Sequence, residues 1–391
     1  DHRDLHSFPT RRSSDLNFAE IDCQDRSQLV SNLHNLVKYS QSSLVISVEA
    51  PWGYGKTFFA KYCESEFKKE GEYSVYFNAW ENDYSEDPFI VFYDELLKII
   101  EKKKIADNKF EEIFNKYKKF GTKILEYSIP LIVTIISRGL IDSSKLCKQL
   151  KGLIKGDDIS PILQKFAEDQ VAVYKKKQES IAEFKEILTE FVEKIQNNGE
   201  EKRTITIFVD ELDRCRPNYA IELIENVKHL FNVKGINFIL FLDIAQLKAS
   251  IQTLYGENMD AEGYLKRFFD YRILLPTPKI EAFCRYLNDK YGFEENDLIV
   301  INKNEKIIDW IIFLINPYET SLRDLEKIFF EINILFTTIP NIYVENLPLL
   351  LLLIILKHKD PGQYRLIHKN KYDLSNLDRI FGVSDEQHEY L

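Results

Sequence analysis

The sequence predicts an α/β chain: a mostly parallel sheet covered by helices, with a long helical insertion and a C-terminal helical region. Three observations predict it. Short apolar, β-branched runs ("LVISV", "TITIFV", "INFILF") alternate with stretches whose apolar residues recur at helical spacing, the pattern of a sheet buried on both faces. A glycine-rich segment, "EAPWGYGKTFF" (Glu49–Phe59), joins the first run to the first such helix. A long lysine- and glutamate-rich helical stretch then separates the early strands from the later ones.

The elements follow in order. The chain starts at Asp1, its one methionine is Met259, and "SFPTRRSSDL" (Ser7–Leu16) resembles the translation of a sequencing-library adapter. Residues 1–16 are therefore expected to be an artefactual leader on a fragment. Residues 17–93 form the first part of the core: "SSLVISVEA" (Ser42–Ala50) reads as a buried parallel strand. "TFFAKYCESEFKKE" follows as a helix with Phe58, Phe59, Tyr62 and Phe67 near helical spacing and Gly71 as its stop, and "YSVYFNAW" (Tyr73–Trp80) is a second strand.

Residues 94–200 read as the helical insertion. Ser160 and Pro161 look like a cap and first-turn pair, and Ile181, Phe184, Leu188, Phe191 and Ile195 mark one apolar face. The apolar piece "IPLIVTII" lies between Glu126 and Arg138 and falls well short of the ~20 residues of a membrane span. The core resumes over 201–278, with "TITIFVDELDR" (Thr204–Arg214) as a strand closing on acids. Pro217 opens a helix whose buried face is Ala220, Leu223, Ile224, Val227 and Phe231, and "INFILFLD" is a strand ending on Asp243. Residues 279–391 form a helical, lid-like region, in which "NLPLLLLLIILKH" suits a core helix better than an anchor.

Bulk properties narrow the function classes. With 391 residues and 45% hydrophobic composition, the chain can bury a large core. A net charge of -10 argues against broad adhesion to nucleic acid or anionic membrane. The lysine clusters at Lys102–Lys104 and Lys175–Lys177 are interleaved with glutamate and read as solvated helix faces. Five cysteines without a CxxC pair signal neither disulfides nor zinc and fit a reducing cytoplasm. No GxSxG elbow or paired Cys and His supports a hydrolase of another kind.

The glycine-rich segment has the frame Ala50-Pro51-Trp52-Gly53-Tyr54-Gly55-Lys56-Thr57, close to the phosphate-loop pattern Gly-x-x-x-x-Gly-Lys-Ser/Thr. That pattern works because small residues let successive backbone N–H groups curl around phosphate oxygens at a helix N-terminus. Trp52, Gly53, Tyr54, Gly55, Lys56, Thr57 and Phe58 are the candidate nucleotide contacts. Lys56 would reach the outer phosphates, and Thr57 would offer its hydroxyl to Mg²⁺. Ala50 stands where the pattern has its first glycine, and its backbone φ decides whether alanine fits.

Hydrolysis needs an acid on a neighbouring strand for the metal and another to polarise water. "VDELDR" supplies both: Asp210 as the metal-side carboxylate and Glu211 as general base, the alternative for Glu211 being a solvated strand-end acid. Asp213 and Arg214 could cap the following helix or bridge subunits. Asp243 could read the state of the γ-phosphate or simply cap "IAQLKASI".

Over most of residues 27–370 the chain resembles the KAP family of P-loop NTPases, within the STAND and AAA-like grouping. The resemblance rests on "PWGYGKT", "YFNAWENDYSEDPF", "VDELDRCRPNYAIELIENVKHLF", "YLKRFFDYRILLP", "SLRDLEKIF" and "LKHKDPGQY". It implies a P-loop NTPase fold, adenine as the base, and an interrupted core between the two nucleotide motifs, which the wide separation of Lys56 and Asp210 matches. It also nominates Arg323 as a catalytic sensor and Lys266 or Arg267 as positive groups near phosphate. Relatives often carry membrane-spanning helices in the interruption, but no such span is found here. Known family roles are bacterial defence against phage or plasmids and organisation of membrane signalling complexes. The expected function is Mg²⁺-dependent ATP hydrolysis used as a conformational switch, with ATP and protein partners, a homo-oligomer among them. The alternatives are a nucleotide-gated scaffold with little turnover and, third, a nucleic-acid motor or sensor.

Overall fold

The computed structural model describes residues 18–40, 42–85, 88–128, 179, 181–196, 203–229, 231–293, 306–339 and 346–369. The leader 1–16, the piece "IPLIVTII" and the Ser160–Pro161 cap lie outside the described residues. Five strands, β1 (Val45–Glu49), β2 (Tyr73–Asn78), β3 (Ile205–Asp210), β4 (Ile236–Leu242) and β5 (Tyr271–Leu274), form one sheet in the order β2-β3-β4-β1-β5. Every pairing is parallel. β1, β3 and β4 are buried along their whole length, as near-continuous apolar runs in a covered parallel sheet require.

The order carries one correction. The acidic strand was expected beside the strand that feeds the phosphate loop, but β4 lies between β1 and β3. Two inter-strand spacings separate their ends by about 10 Å.

Strand alternation decides which face each side chain serves. On β3, Ile205, Ile207 and Val209 point into one core, and Phe208 into the other, with Asp210 following its parity. On the Phe208 face pack the helices Ser27–Lys38 and Lys56–Lys69, through Val30, Leu33, Phe59, Tyr62 and Phe67. Of the expected Lys56–Lys69 face, Phe58 alone is only half-buried. Asp210 therefore emerges on the side where the helix after the glycine-rich loop begins.

The opposite face is covered by Pro88–Ala106, Glu111–Ser128, the helix over 181–196 and Pro217–His229. These helices share one core with β3 and β4. Phe231, expected on the Pro217 helix, lies past its end at His229, yet the turn delivers it fully buried into the same core. A separate core is built by Ile280–Tyr291, Ile307–Ile315, Leu322–Thr338 and Leu347–Lys359, including the leucine-rich run. β5 was not read as a strand, because its residues are mostly exposed and show no apolar alternation. No helix among the described residues is long and apolar enough to cross a membrane.

Candidate functional site

β1 ends at Glu49, and Ala50 continues its pairing by donating its N–H to the Leu242 carbonyl at 3.2 Å. Ala50 is buried and not left-handed: Asp25 and Glu211 are the non-glycine residues with positive φ among the described residues. The missing first glycine therefore costs nothing. The two glycines that remain are required, with Gly53 at φ 82° and Gly55 at φ 78°. A Cβ on Gly53 would meet Ser321 Oγ at 2.6 Å, and one on Gly55 would meet Arg26 Nη1 at 3.1 Å.

The helix Lys56–Lys69 starts directly after Gly55, so its free N–H groups face the loop's concavity. Lys56 is buried, and its Nζ donates to the carbonyls of Ala50 at 2.7 Å and Pro51 at 3.2 Å. Burial draws its ammonium below the ordinary lysine range, while Asp213, Asp243 and Asp210 oppose that shift.

Asp210, at the end of β3, is 1% exposed. It accepts from Tyr76 Oη at 2.9 Å and from the Glu211 N–H at 2.9 Å. Burial pushes its carboxyl up, and those donors hold it back. Thr57 and Asp210, predicted as metal ligands from distant segments, line one cavity, and the Thr57 side chain favours the ionised carboxylate. Glu211 adopts a left-handed backbone at φ 59°, an uncommon state for a non-glycine residue that clusters at functional sites. Its Oε1 lies 2.9 Å from Arg214 Nη1, and burial raises its carboxyl while Arg214 opposes.

Trp52, Gly53, Gly55, Lys56, Thr57, Phe58, Asp210, Glu211 and Arg323 all line one cavity of about 160 Å³. Tyr54 does not line it; its side chain packs into the core behind the loop. Asp243 is also outside the lining and caps the helix Ile244–Tyr255 through the Ala245 N–H at 3.0 Å. Its charge still reaches Lys56. Lys266 and Arg267 are exposed and away from the lining. Asp213 takes the Trp52 indole N–H at 2.5 Å, and Arg214 lies over the Trp80 ring at 5.8 Å.

Sequence reasoning missed two contributions. Arg26 is 3% exposed and donates to the carbonyls of Tyr54 at 2.8 Å and Gly55 at 3.2 Å, bracing the loop from the cavity wall. Nothing in "DRSQL" announces this, because the partners lie 28 and 29 residues away. From the C-terminal region, the Leu322 N–H donates to the Gly53 carbonyl at 2.9 Å, and Phe283, Tyr286 and Glu326 join the cavity wall. Ser321 caps the Leu322–Thr338 helix in a capping box with Asp324, and the "SxxD" spacing was a readable signal.

The residues fit a magnesium nucleotide. The loop would cradle phosphates with Lys56 as counter-charge, and Thr57 with Asp210 would hold the metal. Among the described residues no three His, Cys, Asp or Glu side chains gather as a metal cage, so substrate oxygens and water would complete its shell.

The parallel sheet, the glycine loop opening a helix and the strand-end carboxylate define a P-loop nucleotide-binding domain. The chain belongs to the KAP family: the model of the KAP family P-loop domain matches residues 26–339. Comparison with curated proteins gives no match. Among solved structures it is similar to C. elegans PCH-2, at 12% identity, TM-score 0.32, covering 84% of this chain and 67% of that one. It is also similar to the Aeropyrum pernix ORC2 protein in ADPNP–ADP complexes, at 12% identity, TM-score 0.40, covering 96% of this chain and 80% of that one.

Proposed function

We propose that this chain binds ATP with Mg²⁺ and hydrolyses it, using the cycle as a conformational switch in bacterial defence or signalling, in the cytoplasm and with protein partners. One observation carries the reading: Lys56 and Thr57 meet Asp210 and Glu211 in a single cavity that the C-terminal helical region also walls, through Arg323 and the Leu322–Gly53 bond. Lys56 would leave the Ala50 and Pro51 carbonyls to pair with the outer phosphates. Thr57 and Asp210 would hold the metal, which when bound neutralises phosphate charge. Glu211, once free of Arg214, would accept the proton of the attacking water, and its raised proton affinity suits that task. Arg323, at the first turn of its helix, would sense the phosphate and draw the helical region onto the sheet.

Thermal melting with and without ATP and Mg²⁺, for the wild type and Lys56→Ala, tests binding. Stabilisation should reach roughly 2–3 kcal/mol at a hundredfold excess of nucleotide over Kd and vanish in the variant. Turnover of the wild type against Glu211→Gln tests chemistry, and equal background rates in both would remove Glu211 from catalysis. A second reading, a nucleotide-gated scaffold with little turnover, is favoured by the Arg214–Glu211 pair, because an engaged carboxylate is a poor base. Binding without turnover, with nucleotide-dependent assembly on a sizing column, would select it. Lys266 and Arg267 are exposed and outside the lining of the chain's own cavity, so a phosphate contacted by either would be one bound to another copy.

A further inference from the structure

The bond from the Trp52 indole N–H to the Asp213 carboxylate has no part in the reading above. Trp52 belongs to the loop after β1, and Asp213 to the one-turn helix Leu212–Arg214 after β3. Because β4 separates those strands, the bond spans the gap between the phosphate loop and the acidic turn. Asp213 is buried, and both it and Trp52 line the cavity that Lys56 and Thr57 line, so the bond lies beside the phosphate site. Trp52 is nevertheless 46% exposed, so core packing alone does not hold it there.

The turn needs such a tether. Glu211 sits in a left-handed conformation that persists only when its surroundings over-determine it. On one side its own N–H binds Asp210, and the Arg214 N–H returns to its carbonyl at 3.2 Å. On the far side Arg216 is fixed by Asp83, through its N–H and Nε at 3.0 Å each. These bonds anchor the turn to β3 and to the segment after β2. The Trp52–Asp213 bond anchors it to the phosphate loop.

We propose that Trp52 and Asp213 form a strap that sets the distance and orientation of Glu211 relative to the nucleotide cradle, and so are positioning residues for hydrolysis. The proposal rests on the ATPase reading. Trp52→Phe keeps an aromatic ring, though a smaller one, and removes the donor; Asp213→Ala removes the acceptor; Asp213→Asn keeps an acceptor oxygen. ATP turnover and ATP-induced thermal shifts are measured for the wild type, these variants and the Trp52→Phe/Asp213→Ala double variant. Each of Trp52→Phe and Asp213→Ala should lower kcat about tenfold, the scale of one hydrogen bond to a charged group. Apparent ATP affinity should stay within about twofold in Asp213→Ala, because cradle and lysine remain, while for Trp52→Phe, which also alters a candidate nucleotide contact, the readout is kcat at saturating ATP. The double variant should be no slower than either single, and Asp213→Asn should retain most turnover. Multiplying losses in the double variant, unchanged kcat in Trp52→Phe, or losses in Asp213→Ala that follow affinity or melting temperature would overturn the strap. A wild type without turnover would instead sink the parent ATPase reading, and the strap with it.

Discussion

The aromatic core on the insertion side of the sheet and the cavity end are stabilised by opposite means. On the insertion side, Phe89, Phe92, Phe184, Phe231 and Phe238 interlock with ring centroids 5.2–5.8 Å apart, all inside one apolar core. Tyr93 and Tyr117 stack at 4.4 Å and exchange hydroxyl-to-carbonyl bonds at 2.7 and 3.0 Å, so even their polar ends are satisfied. At the cavity end, Arg26, Lys56, Asp210 and Asp213 are buried charges, two glycines and Glu211 hold left-handed backbone, and single hydrogen bonds join segments. Burial of rings favours folding on its own, whereas buried charge and strain oppose it until a ligand compensates. Stability should therefore respond mainly to the first region and nucleotide handling mainly to the second.

The sharpest way to break that division is Phe231→Ala. Its ring touches four of the cluster's others, and its loss should cost about 3–5 kcal/mol in denaturant unfolding while leaving ATP affinity of the folded protein unchanged. Altered affinity would mean that the two regions communicate. Next in size, Gly53→Ala should cost about 1–3 kcal/mol, from a side chain forced to φ 82° and into Ser321. Unlike Phe231→Ala, it should also remove the ATP-induced thermal shift, because it displaces both the loop and the helix docked on it. Smaller again, Tyr76→Phe deletes one bond to Asp210, and should raise the Mg²⁺ concentration needed for half-maximal turnover several-fold with little change in melting temperature.

The same contrast explains what the sequence made legible. β1, β3 and β4 are buried apolar runs, and Lys56, Thr57, Asp210 and Glu211 stand at fixed offsets from their ends, so local pattern located both the strands and the candidate residues that meet in one cavity. The strand order was not legible, because pairing of β4 between β1 and β3 is a long-range choice among runs of similar character. β5 escaped notice because it is an exposed edge without alternation. Arg26, the Leu322–Gly53 bond and the Trp52–Asp213 bond escaped for a common reason: each joins residues far apart in the chain, and neither partner has a residue type unusual for its local element.

The smallest effect concerns the charge on Asp210 itself. Burial raises its carboxyl, so the folded state holds the proton more firmly than the unfolded chain does. Its contribution to stability is then fully present below the ordinary aspartate value of about 3.9 and is lost as pH rises through the folded-state value. Asp210→Asn removes that loss. Without nucleotide or metal, the variant should melt about a degree or two above the wild type at neutral pH and show no advantage near pH 3. With ATP and Mg²⁺ the order should invert, since only the carboxylate stabilises the metal. The opposing influence is explicit: Tyr76 and the Glu211 N–H donate to the ionised oxygens, and the Thr57 side chain also favours the ionised form. Should Asp210→Asn melt below the wild type at neutral pH without ligand, those partners outweigh burial. The cavity end would then be organised before nucleotide arrives, and its contrast with the aromatic core would be one of chemistry rather than of stability.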